Sequence, residues 1–125
     1  MNTRRHLKST CALLCAIALG TASAQVTLDD NQIRDFLAGS TIGGNQNETT
    51  WIQSFAATGQ TTYTEVAGRP GSPSDGYWRV QDGQYCSQWP PSPQWACYDI
   101  ELDGENIVFI PPSGGEPWPA TRRER

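Results

Sequence analysis

Two Asp-Gly pairs, Asp82-Gly83 and Asp103-Gly104, each sit between runs of alternating apolar and polar residues. Asp-Gly supplies the positive backbone angles of a two-residue hairpin turn, and period-two alternation on either side means paired antiparallel strands. Around the first turn the register sets Val80 opposite Tyr85, with Trp78 on the same face and Arg79 opposite Cys86 on the other. Around the second it sets Ile100 opposite Ile107 and Tyr98 opposite Phe109, with Leu102 on that face and Asp99 and Glu101 on the far one. The expected interior face thus carries Trp78, Val80, Tyr98, Ile100, Leu102, Ile107 and Phe109, because a one-residue slip would turn all of them to water.

The hairpins are joined by Pro90-Pro91-Ser92-Pro93. Its prolines lack ladder donors, so the segment must lie outside the sheet. Symmetric pairing about it sets Gln88 opposite Trp95 and Cys86 opposite Cys97. Directly opposed residues in a non-hydrogen-bonded antiparallel pair lie ~4.5 Å apart at Cα, a separation a disulfide tolerates. Cys86 and Cys97 are therefore expected to be bridged. Trp89 and Trp95 flank the proline loop. They are either a docking platform for a partner or a glycan ring, or the packing that covers the bridge.

Upstream, Thr27-Leu28-Asp29-Asp30 opens the one convincing helix. Thr27 is the expected cap, and Asp29 and Asp30 suit the positive end of the helix dipole. Ile33, Phe36 and Leu37 share a face, and Gly39 ends the run. Residues 49–55 and 61–66 read as strands separated by Ala57-Thr58-Gly59. The turn-rich segment 68–76 reads as a mobile surface loop, and residues 111–125, polar and rich in breakers, as a disordered tail.

The first 24 residues have the three parts of a signal peptide. Arg4, Arg5 and Lys8 precede an uncharged apolar run from Cys11 to Leu19, and Ala22-Ser23-Ala24 forms a small-x-small cleavage site that leaves Gln25 first. The apolar run is about half the ~20 residues a spanning helix needs. Neither Cys11 nor Cys15 follows a small residue, so no membrane anchor is expected. The chain thus divides into a leader (1–24), a β-rich domain (25–110) and the tail (111–125), with the periplasm or the exterior as its location. An oxidising compartment agrees with the Cys86–Cys97 pair.

Beyond the leader there are six Arg and thirteen acidic residues, and no His or Lys. That balance argues against nucleic acid and anionic lipid as partners. The missing residue types exclude His-activated nucleophiles, His-based metal sites and Schiff-base lysines. Asp99, Glu101, Asp103 and Glu105 cluster near the second hairpin as the solvent face of a strand and its turn, not as a catalytic pair with one buried acid. No catalytic residue, metal or cofactor is expected.

Leu37-x-Gly39-Ser40-Thr41, Gly76-x-Trp78-x-Val80, Tyr85-Cys86-x-x-Trp89 and Cys97 together resemble a family of small exported proteobacterial proteins with no established function. The likeness covers about residues 28–110. The Gly-x-Trp element is also similar to the signature of lipocalin-like barrels. The resemblance implies an exported β-rich fold preceded by a helix, and lends no activity.

The expected fold is mainly β: a short N-terminal helix and six or seven antiparallel strands curled into a small barrel or half-barrel, with a two-sheet sandwich as the alternative. The expected function is a non-catalytic exported binding module, monomeric, holding a small apolar ligand in a barrel mouth or docking an envelope protein. The alternative is an inhibitor or accessory factor of a cell-envelope hydrolase. A cavity of ~300 Å³ or more separates ligand binding from surface docking.

Overall fold

A computed structural model describes residues 26–67 and 71–124. The leader, its cleavage site and the start of the 68–76 segment lie outside the described residues. The chain runs β1 (Val26–Thr27), α1 (Asp30–Leu37), β2 (Thr41–Gln46), β3 (Thr49–Phe55), β4 (Gln60–Ala67) and β5 (Ser74–Gln81). It continues through β6 (Gln84–Gln88), β7 (Trp95–Asp103), β8 (Asn106–Ile110) and β9 (Trp118–Glu124). Every strand pairing is antiparallel. The order β7-β6-β5-β4-β3-β2-β9-β8 returns to β7 through the β7–β8 pairing, so eight strands form a closed barrel. β1 is a ninth strand, pairing β7 at Glu101 and Leu102, beyond the reach of β6.

The barrel was legible, but the expected six or seven strands are corrected to eight with a ninth alongside, and the closure was not legible. Closure comes from β2 and β9, neither of which alternation identifies. β2 carries Gly43 and Gly44, whose weak strand preference hides it. A Cβ on Gly44 would sit 2.7 Å from the Pro119 carbonyl and 3.1 Å from the Trp51 ring, so only glycine fits between those neighbours. β9 lies within the segment expected to be a disordered tail, and that expectation is corrected here. Trp118, Ala120 and Arg122 alternate inward, and β9 pairs both β8 and β2. Pro119 is tolerated because its carbonyl faces Gly44, whereas the ladder with β2 reaches no further than Thr121.

Two further expectations are corrected. Residues 74–76 are strand, not loop: β5 starts at Ser74, and Thr61 pairs with Gly76. The second hairpin turns at Gly104-Glu105, with Asp103 opposite Asn106, so Ile100 faces Phe109 and Leu102 faces Ile107. Gly104 takes the positive angle (φ 62°) at the first turn position, which suits a type II′ turn. The slide is by two residues, so each side chain keeps its expected face. Trp78, Val80, Ile100, Ile107 and Phe109 are buried, and Tyr98 and Leu102 pack partly buried against them. The first hairpin has the expected register, with Asp82 and Gly83 both at positive φ.

α1 is capped by Asp29 rather than Thr27, which is committed to β1. Asp29 Oδ1 accepts from Gln32 N at 2.9 Å while Gln32 Oε1 accepts from Asp29 N at 3.0 Å, a reciprocal capping box. Ile33 and Leu37 are wholly buried. The helix is fastened to the hairpin end of the barrel, because Gly83 N donates to Asp30 Oδ1 (2.6 Å) and Arg34 donates to the Val80 carbonyl (3.1 Å). From β9, Arg122 donates to the Phe36 carbonyl (2.7 Å) and lays its guanidinium over the Phe36 ring. This end is plugged by Phe55, Trp78, Val80, Ile100, Ile107 and the helix. The loops following β2, β6 and β8 and the start of β5 lie at the opposite end, which the helix leaves open. No helix among the described residues is long and apolar enough to cross a membrane.

Candidate functional site

The open end holds a cavity of about 580 Å³. Its walls are built by period-two strands that turn aromatic residues inward near the rim: Trp51 from β3, Tyr63 from β4, Tyr98 from β7, Phe109 from β8 and Trp118 from β9. The rings are in mutual contact. Trp51 stacks on Tyr63 at 5.8 Å between centroids and meets Trp118 at 6.4 Å, while Tyr63 meets Trp89 edge-on at 6.4 Å. On the other side Tyr98 and Phe109 both contact Tyr85. Such ring networks hold their geometry through edge-to-face and offset contacts worth ~0.5–1.5 kcal/mol each beyond burial.

Polar groups lie deeper, at inward positions of the same strands. Gln53 Nε2 donates to Thr61 Oγ1 at 2.9 Å and to Tyr85 Oη at 3.1 Å, and Thr61 Oγ1 donates to the Ser54 carbonyl at 2.8 Å. Gln53, Tyr85 and Ser87 also line the cavity. Burial pushes the Tyr85 phenol up to about 12, and hydrogen bonds with Ser87 and Gln53 offset only part of that rise. The group is therefore a neutral hydroxyl at any physiological pH. The Tyr63 phenol is also raised, first by burial and then by the adjacent Glu65 carboxylate, which accepts its hydrogen bond.

A second hollow of about 610 Å³ adjoins the mouth. It shares Trp51, Tyr63 and Trp118 with the first and adds Gln46, Asn47, Glu48, Thr49 and Glu65. Gln46 Oε1 and Trp51 Nε1 are buried there without a hydrogen-bond partner. The β2–β3 turn that forms one side has Asn47 and Glu48 both at positive φ.

The two tryptophans that flank the proline loop face different sides of the barrel wall. Trp89 lines the cavity, and its Nε1 donates to Ser87 Oγ at 3.2 Å. Trp95 lies on the outer face of β7, opposite Gln88, with the Arg79 guanidinium 3.9 Å from its ring. Arg79 is opposite Cys86 on that same outer face. Trp95 therefore shares the outer face with the bridge. Cys86 and Cys97 are directly paired and bonded, with Cα atoms 4.0 Å apart.

Of the carboxylates near the second hairpin, Glu105 is exposed and Asp103 half-buried. Asp99 is exposed and accepts from Gln84 Nε2 at 3.1 Å. Glu101 is half-buried where β1 adds to β7, which alternation could not show. No group of three or more metal-ligating side chains occurs among the described residues.

Alternation missed the inner polar groups, although the signal was present. Gln53 stands between Trp51 and Phe55, and Ser87 two residues after Tyr85, so each interrupts an inward apolar series. No family model matches the chain, and neither does any curated protein or solved structure. The site's chemistry therefore rests on its own geometry.

Proposed function

We propose that this protein is a non-catalytic exported module that binds one small, flat, largely apolar molecule in the mouth of its barrel. The observation that carries the reading is the 580 Å³ cavity with ring walls and a polar floor. Its volume lies within the ~300–1,000 Å³ usual for ligand pockets. Apolar walls with a few fixed polar groups are also what such pockets share. The ring body would stack within Trp51, Tyr63, Trp89 and Trp118, and a single polar substituent would reach the Gln53, Tyr85 and Ser87 groups. Residence in the periplasm or outside the cell is supported by the Cys86–Cys97 bridge, since disulfides persist in oxidising compartments. The alternative role is that of an inhibitor or accessory factor of an envelope hydrolase, and Trp89 and Trp95 offer it no shared surface. Those two rings lie on opposite sides of the barrel wall.

The test is equilibrium titration with N-phenyl-1-naphthylamine, a neutral ring probe, read by its fluorescence and by energy transfer from tryptophan. Saturable one-to-one binding is expected. Trp89→Ala should weaken it by about ten- to a hundredfold, the cost of removing one well-covered aromatic wall. Absence of saturable binding to the folded protein would defeat the proposal.

A further inference from the structure

The two adjoining hollows differ in charge, and the difference specifies a ligand class. This inference rests on the proposed ligand-binding role of the mouth. The inner cavity has ring walls, one carboxylate at its rim (Asp75) and no described Lys or Arg. Asp75 already accepts from Thr62 Oγ1 at 2.9 Å. The adjoining hollow shares three of those rings and adds Glu48 and Glu65, again with no described basic residue. Its buried Gln46 Oε1 is a further acceptor without a partner.

Electron-rich ring faces attract cations and gain nothing from anions. Carboxylates at the rim add a further attraction, which salt weakens because Glu48 is exposed and Glu65 half-buried. The Asp75 carboxylate is engaged by Thr62 on the outer face, so an anionic ligand would meet Glu48 and Glu65 and find no described counter-charge.

We propose that the natural ligand is an organic monocation, a quaternary or protonated ammonium attached to a ring. The ring enters the barrel, and the ammonium head stays at the rim between Trp51, Tyr63 and Trp118, facing Glu48 and Glu65. The distances within the mouth suit this division. Trp51 stacks on Tyr63, so the two rings present a continuous face, and Trp118 closes on Trp51 from the other side. Glu65 is opposite Trp51 in the β3–β4 ladder, which sets a carboxylate beside the ring that would hold the head.

The test uses a matched pair of probes at mildly acidic pH, where both phenols are neutral: 4-hydroxyphenyltrimethylammonium and its carbon isostere 4-tert-butylphenol. They have the same shape and differ in one charge. Dissociation constants are measured by calorimetry for the full mature chain and for the Glu48→Gln, Glu65→Gln double variant, whose changes lie at the rim. The cation should bind about tenfold tighter than the isostere, in line with cation–π and rim-charge attraction combined. The double variant should reduce that ratio to within about threefold of unity and leave 4-tert-butylphenol unchanged. Equal affinities, or a preference for the isostere, would overturn the charge assignment while the ligand-binding mouth stood. A cation preference that persisted in the double variant would overturn the assignment to Glu48 and Glu65. If neither probe bound, and N-phenyl-1-naphthylamine failed as well, the binding role itself would fall.

Discussion

Gly76 shows at one position why the Gly-x-Trp element has its form. A Cβ there would lie 2.5 Å from the Gln88 carbonyl and 2.7 Å from the Trp89 ring, so the ring can cross β5 only over a glycine. Two residues on, Trp78 is buried at the plugged end, with Nε1 donating to the Ala56 carbonyl at 2.8 Å. Gly76→Ala should displace Trp89 from the cavity wall, at a cost of about 1–3 kcal/mol from overpacking. Thermal unfolding should report that loss, and N-phenyl-1-naphthylamine binding should fall with it. Tyr85 gives a second residue-scale prediction. Its folded pKa is raised to about 12, whereas an unfolded tyrosine ionises near 10. The neutral hydroxyl therefore contributes stability in full below about pH 10. That contribution, on the order of 2–3 kcal/mol, is lost as pH rises through about 12. Denaturant midpoints should drop over that window, and Tyr85→Phe should remove the step. The inward faces of Trp78 and Tyr85 were legible in the alternation. What Gly76 does was not, because the Trp89 ring arrives from a loop with no period of its own.

β9 is the element whose presence decides the fold. Its sequence, Trp-Pro-Ala-Thr-Arg-Arg-Glu, has low strand preference and two basic residues, and it forms a strand because β2 and β8 each offer an edge. The sequence around the Asp-Gly turns is the reverse case. There local turn chemistry and period-two patterning agree, so strands and faces can be read directly, to within the two-residue slide at Gly104. Ending the chain after Pro111 should abolish cooperative thermal unfolding, since it exposes two strand edges and removes Ala120 from the core. An unchanged transition would show the segment to be dispensable. The β6–β7 bridge should matter less. Cys86 and Cys97 are 11 apart in sequence, and the chain-entropy relation gives roughly 2–3 kcal/mol for a loop that short. The Cys86→Ser, Cys97→Ser variant should retain its β circular dichroism and melt at lower temperature. The barrel closes through strand ladders independent of the bridge.

For the whole molecule, one end is a solid core and the other a lined hollow, and this division follows from where each strand changes character. Towards the helix the inward residues are Ile42, Phe55, Val80, Ile100 and Ile107, which fill the interior together with Ile33 and Leu37. Towards the mouth they are larger rings with polar groups beneath, which stand against one another around a space. A period-two sequence can show that such residues face inward, but whether they meet or leave a cavity depends on barrel closure, which β2 and β9 determine. The central claim is that the mouth, and no other surface, receives the ligand. Five tryptophans give five indole N–H signals in a nitrogen–proton correlation spectrum, and they are distributed so as to test it. On titration with N-phenyl-1-naphthylamine, the signals of Trp51, Trp89 and Trp118, which line the cavity, should shift together and saturate. Those of Trp78 at the plugged end and Trp95 on the outer wall should stay in place. Shifts centred on Trp95, with the three mouth signals unmoved, would contradict the account.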